Sequence, residues 1–146
     1  MKTLKTLLVS ATLLGLIVLS GCPGDGEDSA YDKAMKLLAS KTWTLNTVVV
    51  PPQTATIPDD WVNFTVSFTS SSMSTSGHAD GATAVWPSGS YTLSQDGKTI
   101  TRSDQVVMTI LTLTETSFNV TFTVPVGTNV GGRIEALDGD YTFNMK

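Results

Sequence analysis

Apolar residues along this chain follow three successive spacings, and each spacing predicts a different element. From Leu7 to Leu19 they run almost unbroken, interrupted only by Ser10, Ala11, Thr12 and Gly15. From Ser29 to Ser40 they recur at helical spacing, with Ala30, Ala34, Leu37 and Leu38 on one stripe. Ser29 with Asp32 has the form of a capping box, and Lys33, Lys36 and Lys41 fall toward the C-terminal half, where the helix dipole favours positive charge. One short helix with one apolar stripe predicts a plug or lid packed on a sheet.

From Trp43 onward the period is two. Trp43, Leu45, Thr47 and Val49 alternate with Thr44, Asn46 and Val48, and Pro51-Pro52 ends that strand because proline cannot donate to a ladder. A polar loop over 53–60 precedes the alternation of Val62, Phe64, Val66 and Phe68. Ser70 to Gly77 has Met73 as its only large apolar residue, the pattern of an edge or weakly packed strand. A loop around Gly81 follows. Asp96-Gly97 is then the strongest hairpin signal in the chain. A two-residue turn there pairs Leu93 with Ile100, Tyr91 with Arg102, and Thr92 with Thr101, so one face is apolar with a cation at its end. A second two-residue turn at Glu115-Thr116 pairs Leu113 with Phe118, Leu111 with Val120 and Thr109 with Phe122, leaving Met108 and Ile110 on the other face. A Gly-rich connection over 125–132 leads to a last strand through Tyr141, Phe143 and Met145.

About eight strands joined mostly by short turns predict an all-β fold. The favoured architecture is an antiparallel up-and-down barrel with one short N-terminal helix; a meander β-sandwich is the alternative. Closure would also remove the exposed edges of a sheet this rich in Thr and Val.

The first apolar run changes the picture of place. Lys2 and Lys5 precede it, and Ser20 and Gly21 follow it, the layout of a secretory signal. The run is short for a spanning helix, which needs about 20 apolar residues. Cys22 is the only cysteine. It cannot form an internal disulfide, and an odd cysteine in an exported chain calls for an explanation. Acylation supplies one, because Leu19-Ser20-Gly21-Cys22 resembles the lipobox of bacterial lipoproteins, which implies a lipid on the Cys22 sulfur. The expected organisation is a signal peptide over 1–21, a flexible Gly- and acid-rich tether over 22–28, and a single barrel domain over 29–146. Removing 21 of 146 residues leaves 125 and takes two of nine basic side chains but none of thirteen acidic ones, a net charge near −6. That balance argues against nucleic acid, and against anionic lipid met through a basic patch.

Several segments together carry a family resemblance. They are the Cys22 motif, the short helix, Trp43 opening the first strand, Trp86-Pro87-Ser88-Gly89-Ser90-Tyr91, Lys98-Thr99-Ile100-Thr101-Arg102-Ser103-Asp104, and Gly139-Asp140-Tyr141-Thr142-Phe143. In this order the chain resembles the small lipocalin-like lipoproteins of Bacteroidota. The resemblance implies an eight-stranded barrel that holds a small apolar ligand, and an outer-membrane location on the periplasmic face or the cell surface. Asp25, Glu27 and Asp28 resemble the acidic export signals of such lipoproteins, and Asp28-Ser29-Ala30 their O-glycosylation triplet. The glycine that stands two residues before the first-strand tryptophan of true lipocalins is absent here.

Candidate chemistry is sparse. His78, the sole histidine, stands near Asp80, but two ligands in a Gly/Ser loop do not make a metal site, and the expectation is a solvated loop histidine. No nucleophile triad, phosphate loop or cysteine centre is present, so neither an enzyme nor a cofactor is expected. Tyr91 and Arg102, on the apolar face of their hairpin, are candidates to meet a ligand inside the barrel. Arg102 has a second, structural reading: bonding Asp104 or backbone carbonyls to cap the barrel. Trp61 and Trp86, beside loops, are candidate rim aromatics for sugars or a partner; Trp86, directly before Pro87, has a second reading as a plug of the barrel end. The functional expectation is a lipid-anchored, non-enzymatic binding or accessory domain. The alternative is a structural subunit of a larger membrane complex, toward which bulky Phe64, Phe68, Phe118, Phe122 and Phe143 lean by filling the interior.

Overall fold

Ser29 starts the helix as its spacing to Asp32 predicts. The Ser29 hydroxyl oxygen accepts the Asp32 backbone N–H at 3.1 Å, and the hydroxyl donates to the Asp32 carboxylate at 2.6 Å. The helix, α1, runs Ala30–Leu38 and buries Ala34 and Leu38. The computed structural model describes residues 27–52, 58–126, 129–130, 133–134 and 137–146. The segment expected to be a signal peptide, Cys22 and the first part of the expected tether lie outside the described residues. Among the described residues, no helix is long and apolar enough to cross a membrane.

Among the described residues ten strands follow: β1 (Trp43–Val49), β2 (Thr65–Phe68), β3 (Ser72–Ser76), β4 (Gly89–Leu93), β5 (Thr99–Arg102), β6 (Val107–Leu113), β7 (Phe118–Val124), β8 (Asn129–Val130), β9 (Arg133–Ile134) and β10 (Gly139–Met145). Eight of them close into an antiparallel barrel in the order β1-β10-β7-β6-β5-β4-β3-β2, while β8 and β9 form a separate small hairpin. This is the up-and-down barrel, not the sandwich. β3 is not an edge, but its pairing with β4 is slight: only Ser72 with Ser90 and Met73 with Gly89. The strand expected from Val62 begins later, at Thr65, because Pro58–Trp61 forms a 3-10 turn and leaves Val62 exposed.

Both hairpins form where the sequence places them, but their registers differ in fidelity. In β4–β5, Tyr91 pairs with Arg102, Thr92 with Thr101 and Leu93 with Ile100, as expected, but the turn is not the two-residue one. Gly97 N–H donates to the Ser94 carbonyl at 2.9 Å, so Gln95-Asp96 is its centre, Gly97 takes the left-handed position after it, and the four-residue loop between Ser94 and Thr99 keeps the same register. In β6–β7, Leu113 pairs with Phe118, but Ile110 then pairs with Val120 and Met108 with Phe122. A bulge at Leu111 causes the shift. It adds one residue to β6 and so exchanges its faces beyond that point. Met108 is therefore buried and Leu111 exposed, the reverse of the expected faces. A second bulge at Asn46, between Leu45↔Met145 and Thr47↔Asn144, turns Val49 outward in the same way.

α1 closes one end of the barrel. Trp43 Nε1 donates to the Leu38 carbonyl at 3.0 Å, tying the start of β1 to the end of the helix. Gly97, at φ +68°, backs directly onto α1. The β6–β7 turn reaches the same end, where Glu115 and α1 residues Lys33, Lys36 and Leu37 line one groove.

The β5–β6 turn lies at the other end. Arg102 N–H donates to Val106 O and Gln105 N–H to Arg102 O, enclosing a three-residue loop whose last residue, Gln105, sits at φ +69°. Glycine normally fills that left-handed position. Gln105→Gly is expected to stabilise the chain by about 1 kcal/mol, read as a rise in the urea midpoint at constant slope.

Candidate functional site

Inward-facing positions of an eight-stranded barrel are just numerous enough to fill its interior, and here the bulkiest of them are aromatic. Toward the end opposite α1, Phe143 stands 4.9 Å from both Trp61 and Trp86, and stacks on Phe122 at 5.7 Å. Phe64 packs on Trp61, Trp86 and Phe143 at 5.2–5.5 Å. Tyr141 joins at 6.0 Å from Phe122, and its hydroxyl donates to the Leu137 carbonyl at 3.0 Å. Phe118 fills the α1 end between Trp43 and Phe68, 5.6 Å from each. The rim position expected for Trp61 and Trp86 is thus corrected: both are fully buried. The 3-10 turns Pro58–Trp61 and Asp80–Ala84 fold these residues inward as the floor and wall of the core.

Tyr91 and Arg102 are register neighbours whose polar ends part company. The Tyr91 hydroxyl reaches toward α1, donating to the Thr69 carbonyl at 2.6 Å beside Met35. Burial, with a contribution from Tyr31, pushes this hydroxyl up to about 12, so it stays a donor at any physiological pH. Arg102 points the other way. It is 2% exposed, donates Nη1 to the Val85 carbonyl at 2.6 Å and Nε to Asp104 at 3.0 Å, and closes a second contact from Nη2 to the same carboxylate. Its guanidinium lies 5.5 Å from the Phe122 ring. Both partners of its structural reading, Asp104 and a backbone carbonyl, are engaged. A groove of about 370 Å³ on the outer surface borders Tyr91 and Arg102 with Ser71, Ser90, Thr92 and Thr101. Trp61 and Trp86 do not reach it.

Asp104 carries a testable charge. Partial burial alone would raise its carboxyl, but the Arg102 hydrogen bond and charge, with the Val106 N–H, outweigh that and hold it below the usual carboxylate range. A depressed folded value contributes stability that is complete above the unfolded value, about 3.9, and is lost as pH falls through the folded one. Asp104→Asn is expected to flatten the acid limb of the melting-temperature profile below about pH 4 and to lower stability at neutral pH, where the buried guanidinium loses its counter-charge. Thermal melts across that range read both effects.

His78 departs from the solvated position expected for it. It is partly buried, stacked on Phe64 at 5.7 Å and edge-on to Trp61 at 6.0 Å, with Nδ1 3.5 Å from the Thr83 hydroxyl. Among the described residues, His78 Nε2 and Trp61 Nε1 are buried with no hydrogen-bond partner. Among the described residues, no three His, Cys, Asp or Glu side chains converge as metal ligands. Sequence reasoning missed the fully buried Leu137 and the Val85 carbonyl, because both lie in connections with no periodicity to place them.

Other open grooves lie on the outer surface, of about 620 Å³ along α1, about 410 Å³ beside β1 and about 450 Å³ by the β5–β6 turn. None of them is lined by the interior rings. No protein-family model matches the chain, and neither a curated protein nor a solved structure matches it.

Proposed function

We propose that this chain is a lipid-anchored, non-enzymatic accessory domain of the outer membrane, a small lipocalin-like lipoprotein with a filled barrel that works through its outer surface. The observation that carries this reading is the ring packing: Trp61, Phe64, Trp86, Phe122, Tyr141 and Phe143 occupy the space a ligand would need. A hollow, ligand-carrying barrel offers a pocket of several hundred cubic ångströms lined by apolar side chains; this one offers edge-to-face rings at contact distance. The groups with chemistry to offer are held in structural contacts, Arg102 by Asp104 and Val85, and His78 against Phe64 and Trp61.

Anchoring through Cys22 would fix the domain beside the bilayer, since stable attachment takes more than one acyl chain and a lipoprotein cysteine carries several. The domain then acts as a subunit that presents its outer face to a larger membrane or cell-surface assembly. Native mass spectrometry of the protein extracted in mild detergent tests the filled barrel. The expected spectrum carries no stoichiometric small molecule beyond the covalent lipid; a bound apolar compound in equal amount would restore the ligand-carrying reading.

A further inference from the structure

The barrel is not evenly laced. β2 meets β1 only at Trp43↔Val66 and Thr44↔Thr65, with the Leu45 N–H donating to the Phe64 carbonyl at 2.9 Å just before the strand. β3 meets β4 only at Ser72↔Ser90 and Met73↔Gly89. The other six junctions carry three register pairs or more, and β10 is paired with β7 from Gly139↔Val124 to Met145↔Phe118. The two shortest junctions flank the same element, the β2–β3 hairpin, whose own strands pair from Thr65↔Ser76 to Phe68↔Met73.

Side chains replace the missing ladder toward β4. The Ser88 hydroxyl accepts the Thr75 N–H at 2.8 Å, and the Thr75 hydroxyl donates to the Trp86 carbonyl at 3.1 Å. At the tip, Tyr91 donates its N–H to the Ser71 carbonyl at 3.0 Å and its hydroxyl to the Thr69 carbonyl. From Thr65 to Ser76 the hairpin buries Val66, Phe68 and Met73, and every other residue is Ser or Thr. A short ladder and few buried apolar groups mark a segment that opens below the global free energy. The base is firmer, because Gly77 lies against the Asn63 backbone and Phe64 joins the ring cluster.

We propose that the β2–β3 hairpin is a flap, which opens as a unit while the other six strands of the barrel stay paired. Opening uncovers Tyr91 and Phe118, on which Phe68 packs at 5.5 and 5.6 Å, and Trp86, whose Nε1 donates to Met73. It also frees the facing edges of β1 and β4. A barrel that is filled when closed thus exposes apolar surface and strand edges when the flap swings out. The flap belongs to the barrel itself and stands whether or not Cys22 carries a lipid.

Native-state hydrogen exchange of the whole protein, followed residue by residue across a urea series, tests this. A detached two-stranded hairpin is marginal in water, so its amides exchange once the flap is out. Amides of 65–68 and 72–76 are expected to exchange at least about a hundredfold faster than those of β7 and β10, with a weaker dependence on urea because less surface is exposed. Thr121, bonded to the Tyr141 carbonyl at 2.9 Å, stands on β7, across the barrel from β3. Thr121→Ala should quicken exchange in β7 and β10 about fivefold, the worth of one hydrogen bond, and leave the hairpin rates unchanged. Ser88→Ala, which removes the bond to Thr75, should quicken the hairpin by a similar factor. Hairpin amides that exchange in step with β7 and β10, a Thr121→Ala variant that quickens both alike, or a hairpin indifferent to Ser88→Ala overturns the proposal.

Discussion

Gly77→Ala is expected to lower the stability of the barrel by about 2–5 kcal/mol, the sum of a left-handed backbone penalty and forced overpacking. Gly77 ends the β3 segment at φ +79°, and a Cβ there would stand 1.8 Å from the Asn63 carbonyl oxygen and 2.5 Å from its carbon. Both partners are backbone, so no rotamer relieves the overlap; the chain entering β2 has to move. A domain of this size has about 5–15 kcal/mol in total, so the variant should show a much lower urea midpoint or fail to accumulate. Gly97→Ala is the internal comparison. It has a similar φ, +68°, but its nearest atoms are the Ala30 carbonyl oxygen and the Ala34 Cβ at 2.7 Å. α1 can give way where the Asn63 backbone cannot, so Gly97→Ala should cost less. Equal losses would mean that backbone strain alone, and not the Asn63 contact, sets the cost at Gly77.

Trp86→Ala should cost about 3–5 kcal/mol, the usual range for deleting a buried large aromatic. The ring touches Phe64, Phe122 and Phe143, and its Nε1 donates to Met73 Sδ at 3.4 Å. The space left behind is walled by apolar rings, the kind of cavity that stays dry and takes up small apolar molecules. The variant should therefore bind a small aromatic probe that the parent does not bind. Isothermal titration with indole, with both proteins still folded by circular dichroism, separates the cases. Uptake by the parent would show that the interior already has room, and the filled-barrel reading would fail.

The parts of this fold legible in the sequence are those where local chemistry fixes geometry. Asp96-Gly97 marks the β4–β5 turn because Gly97 takes its left-handed position, and Ser29 with Asp32 sets the helix start. Phe64, Phe68, Phe118, Phe122 and Phe143 lean toward a filled interior, and all five are buried. The errors arise where one added residue changes phase. The bulges at Asn46 and Leu111 leave no mark in composition, yet each exchanges the faces of half a strand. The rim reading of Trp61 and Trp86 fails for a different reason, while the plug reading of Trp86 agrees with its burial. Their neighbours read as loop, and only the closed barrel reveals that the 3-10 turns dip into the core. At Arg102 the sequence offered two partners, Asp104 or a backbone carbonyl; the two are made at once, a choice that spacing could not decide.

How the chain is held decides where its outer face can act, and intact-mass analysis of the protein recovered from its own membrane fraction addresses that directly. The predicted species begins at Cys22 and carries acyl chains on that residue. A processed chain found in the soluble fraction with an unmodified Cys22 thiol would contradict it.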